Sequence, residues 1–198
     1  MNYLAHLALS GNNEETMIGN YMGDSLRGID IHTFSTGIQN GIKLHRFIDD
    51  FTDHHPVFIS AKKYFTKKFD KYSGTLVDVC FDHFLAKNFS HFYSEDLKNF
   101  AQRNYAEIGK NYSILPDKAK GFYNYMTEHN ILYGYSEKEN IKKVLQGLTY
   151  RIKRKVLLYE GYEIFIDKYN DLEKLFLEFY PLLKTGSEKF CEETGIKI

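Results

Sequence analysis

The chain has 198 residues, of which 43% are hydrophobic, and its 26 Lys and Arg residues balance 26 Asp and Glu residues. This length and apolar fraction are enough for one full core, and without a Pro/Gly/Ser-rich linker the chain predicts a single domain over residues 1–198. Because the net charge is zero, no global field recruits nucleic acid or an anionic membrane, so neither is an expected partner.

The cysteines and the N-terminal segment indicate the cellular compartment. Cys80 and Cys191 have neither a metal-type nor a redox-type spacing, so we expect reduced thiols in a cytosol rather than a disulfide framework. The apolar stretch from Tyr3 to Leu9 contains His6 and has no basic leader, and no segment approaches the roughly 18 apolar residues of a membrane span. We therefore expect a cytoplasmic protein that is neither exported nor embedded in a membrane.

The hydrophobic periodicity predicts an all-α fold. Apolar residues recur at spacings of three and four, strict alternation is scarce, and only three prolines occur. Helix starts are indicated at Asn13, at Pro56, and at Ser136, which forms a capping box with Glu139. Turn formers interrupt the chain near residues 28–35, 54–56, 71–74, 115–117 and 134–136. These signals predict one bundle of about seven helices with little or no sheet.

Two apolar stripes in the second half of the chain are expected to face the core. Their residues recur at helical spacing, which places each set on one face of a helix. The first stripe comprises Ile141, Val144, Leu145, Leu148, Ile152 and Val156, and the second comprises Leu172, Phe176, Phe179 and Leu183.

His and Asp residues concentrate in the first half, where six of the eight histidines precede residue 84. His45, Asp49 and Asp53 are spaced by four, so one helical face would carry an imidazole and two carboxylates in successive turns. Asp82 and His83 differ by about 100° around a helix, yet both can reach an ion lying tangential to it. Two elements could thus converge on one metal. A His/Asp shell without thiolates suits Mn²⁺ or Mg²⁺ better than zinc.

Each of these residues also has a purely structural interpretation. His6 could be a hydrogen-bonded core histidine, and Asp49 could be a solvated residue paired with Arg46. Asp24 could cap a turn, and Asp53 could cap the helix that starts at Pro56. Spacing alone leaves both interpretations open.

Five segments carry a resemblance to a known family: MNYLAHL, GNYMGDSLRG, GIKLHRFIDDFTDHHP, DVCFDHFLAKNF and QGLTYRIKR. In this order and position they resemble the acyl carrier protein phosphodiesterase family, and the later FLEFYP also fits. The resemblance implies an all-helical fold distantly related to HD-type phosphohydrolases, a divalent metal with Mn²⁺ preferred, and release of 4'-phosphopantetheine from holo acyl carrier protein. The doublet here is Asp82-His83, the reverse of the usual His-then-Asp order, so ligand roles cannot be copied from the HD group.

We expect the side chains of the site to converge from distant parts of the sequence, with Asp24, Asp82 and His83 meeting at a common point. Arg27 and Arg46 are expected to hold the non-bridging phosphate oxygens, because a guanidinium matches them in a planar, bidentate way. The predicted metal ligands are His6, Asp24, His45, Asp49, Asp82 and His83, and the predicted catalytic residues are Asp24, Arg27, Arg46, Asp49 and His83.

A local basic patch is expected to attract the acidic carrier protein, because a protein with zero net charge cannot attract it through its overall charge. It comprises Arg151, Lys153, Arg154 and Lys155 and would raise the association rate by electrostatic steering, although a merely solvated helix face is the alternative. Two rival functions remain open. One is a related phosphohydrolase acting on a nucleotide or another small phosphate ester. The other is a non-catalytic helical adaptor that binds a protein through a surface drawn from its 16 tyrosines.

Overall fold

The computed structural model describes residues 1–153 and 156–198, and no β-strand occurs among them. The α-helices in these residues are α1 (Tyr3–Ala8), α2 (Glu14–Met22), α3 (Thr36–His54), α4 (Pro56–Phe69), α5 (Ser73–Lys87), α6 (Phe89–Phe92), α7 (Leu97–Lys110), α8 (Asp117–Glu128), α9 (Ile131–Gly134), α10 (Lys138–Arg151), α11 (Gly161–Asp167) and α12 (Tyr169–Thr194). The all-α prediction is confirmed. About seven helices was too few, because α1, α6, α9 and α11 have only four to seven residues and are too short to show a periodic pattern.

Two of the three predicted helix starts are confirmed. The side chain of Asn13 accepts a hydrogen bond from the backbone N–H of Thr16, as an N-cap does, and α4 begins with Pro56 in its first turn. The capping box at Ser136 is wrong. Its hydroxyl instead donates to the carbonyl of Tyr133 at 2.9 Å, because Ser136 still belongs to the turn that follows α9.

The core is built around α5 and α12. All four residues of the second apolar stripe are buried on α12, where Phe176 and Phe179 each pack against Phe81 of α5 with ring centroids 5.6 Å apart. In α10 the first stripe is confirmed at Ile141 and Leu145, which are buried, whereas Val144 and Leu148 are half-buried. The helix ends at Arg151, so the last two residues of the stripe, Ile152 and Val156, lie beyond it. Among the described residues, no helix combines the length and the apolar character that a bilayer span requires.

Glycines let α2 and α3 cross closely, and this crossing positions the candidate site. A Cβ added to Gly19 would lie 2.0 Å from the carbonyl oxygen of Ile38, and one added to Gly41 would lie 2.1 Å from that of Thr16. Both distances are far shorter than any tolerated contact, so the crossing requires glycine on each helix. Asn20 follows Gly19 and His45 lies one turn after Gly41, so the same contact brings these two side chains together.

Candidate metal centre

His6 of α1 meets His45 and Asp49 of α3 in one group. Each of these residues offers a ligand atom, and the three atoms lie within 4.8 Å of one another. Asp49 connects the two rings: Oδ1 lies 3.2 Å from His6 Nε2, and Oδ2 lies 3.1 Å from His45 Nε2. The imidazoles stack with centroids 4.2 Å apart, and both are buried. The predicted spacing of His45 and Asp49 therefore does place both on one face of α3.

Asn20 orients both imidazole rings. His6 Nδ1 donates to the Oδ1 atom of Asn20 at 2.8 Å, and His45 Nδ1 donates to its backbone carbonyl at 2.8 Å. With both Nδ1 atoms acting as donors, each neutral ring directs its Nε2 lone pair toward Asp49. His45 Nε2 is buried and makes no hydrogen bond, although a carboxylate oxygen is 3.1 Å away. Lone pairs facing an anion need a positive charge between them, so this donor set fits a divalent cation.

The pKa values of His6, His45 and Asp49 depend on one another because the three side chains are close together. Burial lowers the pKa of His6, and the neighbouring His45 lowers it further. Burial would also lower the pKa of His45, but the nearby carboxylates of Asp24 and Asp49 outweigh it and raise this pKa to about 9. Burial would raise the pKa of Asp49, yet the two adjacent histidines hold it well below its usual range. Without a bound cation, a proton on His45 therefore neutralises the ionised Asp49.

Asp24 lies at the rim of the group, in a 3₁₀ helix at Gly23–Ser25. Its Oδ1 atom is 3.6 Å from His45 Nε2, and 59% of its side chain is exposed. The neighbouring His45 ring is the main cause that lowers the pKa of Asp24, so its carboxylate is ionised at neutral pH. A Cβ at Gly23 would lie 2.3 Å from the His45 ring. Only glycine lets this turn approach the ring so closely.

Asp82 does not join the group. Its buried carboxylate accepts the backbone N–H groups of Leu4 at 2.8 Å, Asn2 at 3.3 Å and Ala5 at 3.4 Å. It therefore satisfies the free donors at the start of α1, which have no partner within that helix. The expected convergence of Asp24, Asp82 and His83 is thus wrong: Asp82 instead anchors α1, the helix that carries His6.

His83 also lies outside the group, because both of its ring nitrogens are already paired. Nδ1 donates to the carbonyl of Tyr135 at 2.7 Å, and Nε2 accepts from the Tyr169 hydroxyl at 2.8 Å. Side chains one position apart leave a helix in different directions, so Asp82 binds α1 while His83 binds the segment after α9 and the start of α12. The predicted ligand role of His83 does not agree with these contacts.

The buried ring of His83 is expected to make the protein acid-sensitive. Burial lowers its pKa from 6.5 to about 4, against the hydrogen bond to Tyr135, which favours the charged ring. Between these values only the unfolded chain binds the proton, so stability falls as the pH drops from 6.5 to 4. On going from pH 7 to pH 5, the wild type should lose about 2 kcal/mol more than His83→Gln in urea unfolding. Equal losses in the two proteins would contradict this assignment.

Three further residues of the sequence-based prediction are exposed: Arg27, Arg46 and Asp53. Asp53 lies one turn beyond Asp49, but it is not part of the three-residue group. Among the described residues, the side chains of Arg27 and Arg46 form no hydrogen bond or ion pair. Their guanidinium groups are therefore available to a ligand, and their catalytic role stays a prediction.

The predicted basic patch is only partly described. Arg151 is exposed at the end of α10, where its charge opposes the rise in the pKa of Tyr3 that burial causes. Lys153 is exposed two residues later. Arg154 and Lys155 lie outside the described residues. Carrier-protein binding by this patch stays a prediction.

Asn20 was missed by the sequence reasoning. The motif GNYMGDSLRG contains it, but an amide neither ionises nor is a typical metal ligand, so its residue type gives no sign of this role. Its amide group is fully buried and also donates to the His6 carbonyl at 2.8 Å and to the Ser10 hydroxyl at 2.9 Å. A buried polar residue between two candidate ligands could be found only from the α2–α3 contact.

Replacing Asn20 is expected to weaken metal binding without removing a ligand. Asn20→Leu has a similar size but cannot accept the hydrogen bond of His6 Nδ1, so we expect metal affinity to fall about 10–100-fold. Asn20→Asp keeps an acceptor for His6 and should lose less. Calorimetric titration of metal-free protein with Mn²⁺ measures both. Wild-type affinity in Asn20→Leu would show that the amide does not position the ring.

The family model for acyl carrier protein phosphodiesterase matches residues 1–183. The chain belongs to the acyl carrier protein phosphodiesterase family. His6, Asn20, Asp24, His45 and Asp49 all fall within the matched residues.

Relatives of this family match almost the whole chain. The acyl carrier protein phosphodiesterase of Photorhabdus laumondii is 29% identical over 189 residues, covering 95% of this chain and 96% of the relative. Those of Enterobacter sp. and Yersinia pestis are each 31% identical, covering 91% and 92% of this chain and 94% and 95% of the relatives. No solved structure matches the fold, so the predicted distant relation to HD-type phosphohydrolases stays a prediction.

Proposed function

We propose that this protein is a metal-dependent phosphodiesterase that hydrolyses 4'-phosphopantetheine from holo acyl carrier protein and leaves the apo protein. The observation that carries the proposal is the group of His6, His45 and Asp49, in which two oriented imidazoles face one shared carboxylate. Family membership supports the substrate, because the relatives are named as acyl carrier protein phosphodiesterases.

His6, His45 and Asp49 would hold a divalent cation, with Asp24 as a further ligand from the rim. The donor set has two nitrogens, carboxylate oxygens and no thiolate, which supports Mn²⁺, with Mg²⁺ or another divalent ion as alternatives. When bound, the cation would supply Lewis-acid polarisation of the phosphodiester and activation of water.

The chain's own residues orient the reacting groups. The ionised, exposed carboxylate of Asp24 can accept a hydrogen bond from an attacking water and so direct its lone pair toward phosphorus. Arg27 and Arg46 would bind non-bridging phosphate oxygens and neutralise charge that develops on them. Arg151 and Lys153 would attract the acidic carrier protein. A carrier protein substrate also supports the predicted cytoplasmic location.

A single assay separates this proposal from its rivals. Purified protein with Mn²⁺ is incubated with holo acyl carrier protein, and intact-protein mass spectrometry should show loss of the 4'-phosphopantetheine group. Activity on nucleotides or other small phosphate esters, with none on the carrier protein, would favour the related phosphohydrolase. Absence of both hydrolysis and metal binding would favour the non-catalytic adaptor.

A further inference from the structure

An apolar groove opens beside the metal centre. It has a volume of about 730 Å³ and lies between the start of α1 and helices α8, α9 and α10. Its lining is largely aromatic and aliphatic, with Tyr3, Phe122, Tyr125, Val144 and Leu148. Tyr3 and Phe122 stack with centroids 3.8 Å apart. The volume and the apolar lining are those of a small-molecule binding site.

The groove adjoins the metal centre. Asn2 and Tyr3 line the groove and also line a small opening that contains His6, Asp24 and His45. On the other side, Lys118 at the groove donates from Nζ to the carbonyl of Asp24. The groove is therefore the neighbouring cavity into which the rest of a ligand could extend when its phosphate lies at the metal centre.

The charges around the groove define what it accepts. Its lining includes the cations Lys118, Lys143 and Arg151, whereas no Asp or Glu is among the residues described there. Cations beside an apolar floor suit a ligand with an anionic end and a long apolar tail.

We propose that the groove binds the pantetheine arm together with an acyl group on its thiol, so that acylated carrier protein is bound more tightly than the holo form. This inference rests on the proposed function, because the phosphodiester must lie at the metal centre. The pantetheine arm reaches past Tyr3, and the acyl chain packs against Phe122, Val144 and Leu148. The burial of each methylene strengthens binding by up to about fourfold.

One glycine that lines the groove can be replaced by a larger residue in order to block it. A Cβ added to Gly121 on α8 meets no atom within 4 Å, so Gly121→Leu places its side chain in the groove without a backbone clash. Gly74 in the first turn of α5 also has open space around it and does not line the groove, so Gly74→Leu is the matched control. Leucine also has a higher helix propensity than glycine, so both substitutions are compatible with their helices.

The test measures binding apart from catalysis. Calorimetric titration with S-octanoyl-pantetheine and with pantetheine should give at least tenfold tighter binding of the octanoyl compound to the wild type. Gly121→Leu should weaken octanoyl binding at least tenfold, while Gly74→Leu leaves it unchanged. Equal affinity of wild type and Gly121→Leu for the octanoyl compound would overturn the proposal.

A second measurement needs no variant. In methyl NMR spectra of the wild type, S-octanoyl-pantetheine should shift the signals of Val144 and Leu148. Shifts confined to exposed methyl groups elsewhere, such as Leu177 and Leu182 of α12, would overturn the groove as the binding site.

The result is separable from the phosphodiesterase proposal. If holo carrier protein is hydrolysed but Gly121→Leu changes neither octanoyl-pantetheine affinity nor the KM for octanoyl-carrier protein, the groove proposal fails and the function stands. If octanoyl-pantetheine binds in the groove but no carrier protein is hydrolysed, the binding site stands and the proposed function fails.

Discussion

Asp49→Ala is expected to lower carrier-protein hydrolysis by more than about 100-fold, because even an outer partner of a metal ligand contributes 10–100-fold. Asp49 is the only described carboxylate that contacts both imidazoles, at 3.2 Å from His6 and 3.1 Å from His45. Its loss removes an oxygen ligand and the anion that draws a cation between the rings. We expect the loss in kcat to accompany loss of bound metal, measured by elemental analysis of the same preparation.

Asp53→Ala is the matched control for this variant. Asp53 lies one turn further along α3 and is exposed, and it is not in the three-residue group. The control should keep wild-type metal content and activity, and circular dichroism should show intact helices in both variants. Wild-type turnover in Asp49→Ala would exclude the group from the mechanism, since no other described carboxylate joins the two histidines.

Asp82→Ala is expected to act on stability rather than on chemistry. Its carboxylate accepts three backbone N–H groups at the start of α1, and each buried donor left unpaired costs about 1–3 kcal/mol. We expect the free energy of unfolding to fall by at least about 3 kcal/mol, which lowers Tm by roughly 6–12 °C for a chain of this size. Urea and thermal unfolding measure both quantities.

Asp82→Asn keeps one acceptor oxygen without the charge, so it should lose less stability than Asp82→Ala because only one side of the former carboxylate is left without an acceptor. Burial raises the pKa of Asp82 to about 7, against the backbone hydrogen bonds that favour the carboxylate, so a neutral side chain is tolerated at this position. Residual turnover of Asp82→Ala below its Tm would agree with a structural anchor. A variant with wild-type Tm and no turnover would contradict it and return Asp82 to the candidate metal ligands.

The contrast between Asp49 and Asp82 shows which contacts can be predicted from the spacing of residues along one helix. His45 and Asp49 are one helical turn apart, so their shared face follows from the helical period alone. The position of Asp82 next to His83 predicts a shared metal, but neighbours on a helix point about 100° apart. Which partner each one meets depends on the elements packed on either side of α5, and the local sequence does not contain that information.

Helix content and the core stripes follow from the sequence, because a 3.6-residue period repeated over several turns has one structural explanation. Packing and turn contacts, by contrast, determine the short helices and the position of α1. They also determine that Ser136 does not cap α10. The family and its implied chemistry were also present in the sequence, in motifs spread over roughly residues 1 to 155.

What the amino-acid sequence determined by itself was the all-α class, the family and the pairing of His45 with Asp49 on one helical face. Only the tertiary structure placed His6 against them, assigned Asn20 as the residue that orients both rings, and turned Asp82 into an anchor for α1. The physical reason is that a site assembled from α1, α2 and α3 depends on where helices cross. That crossing is set by Gly19 and Gly41, whose missing side chains carry no chemical signal of their own.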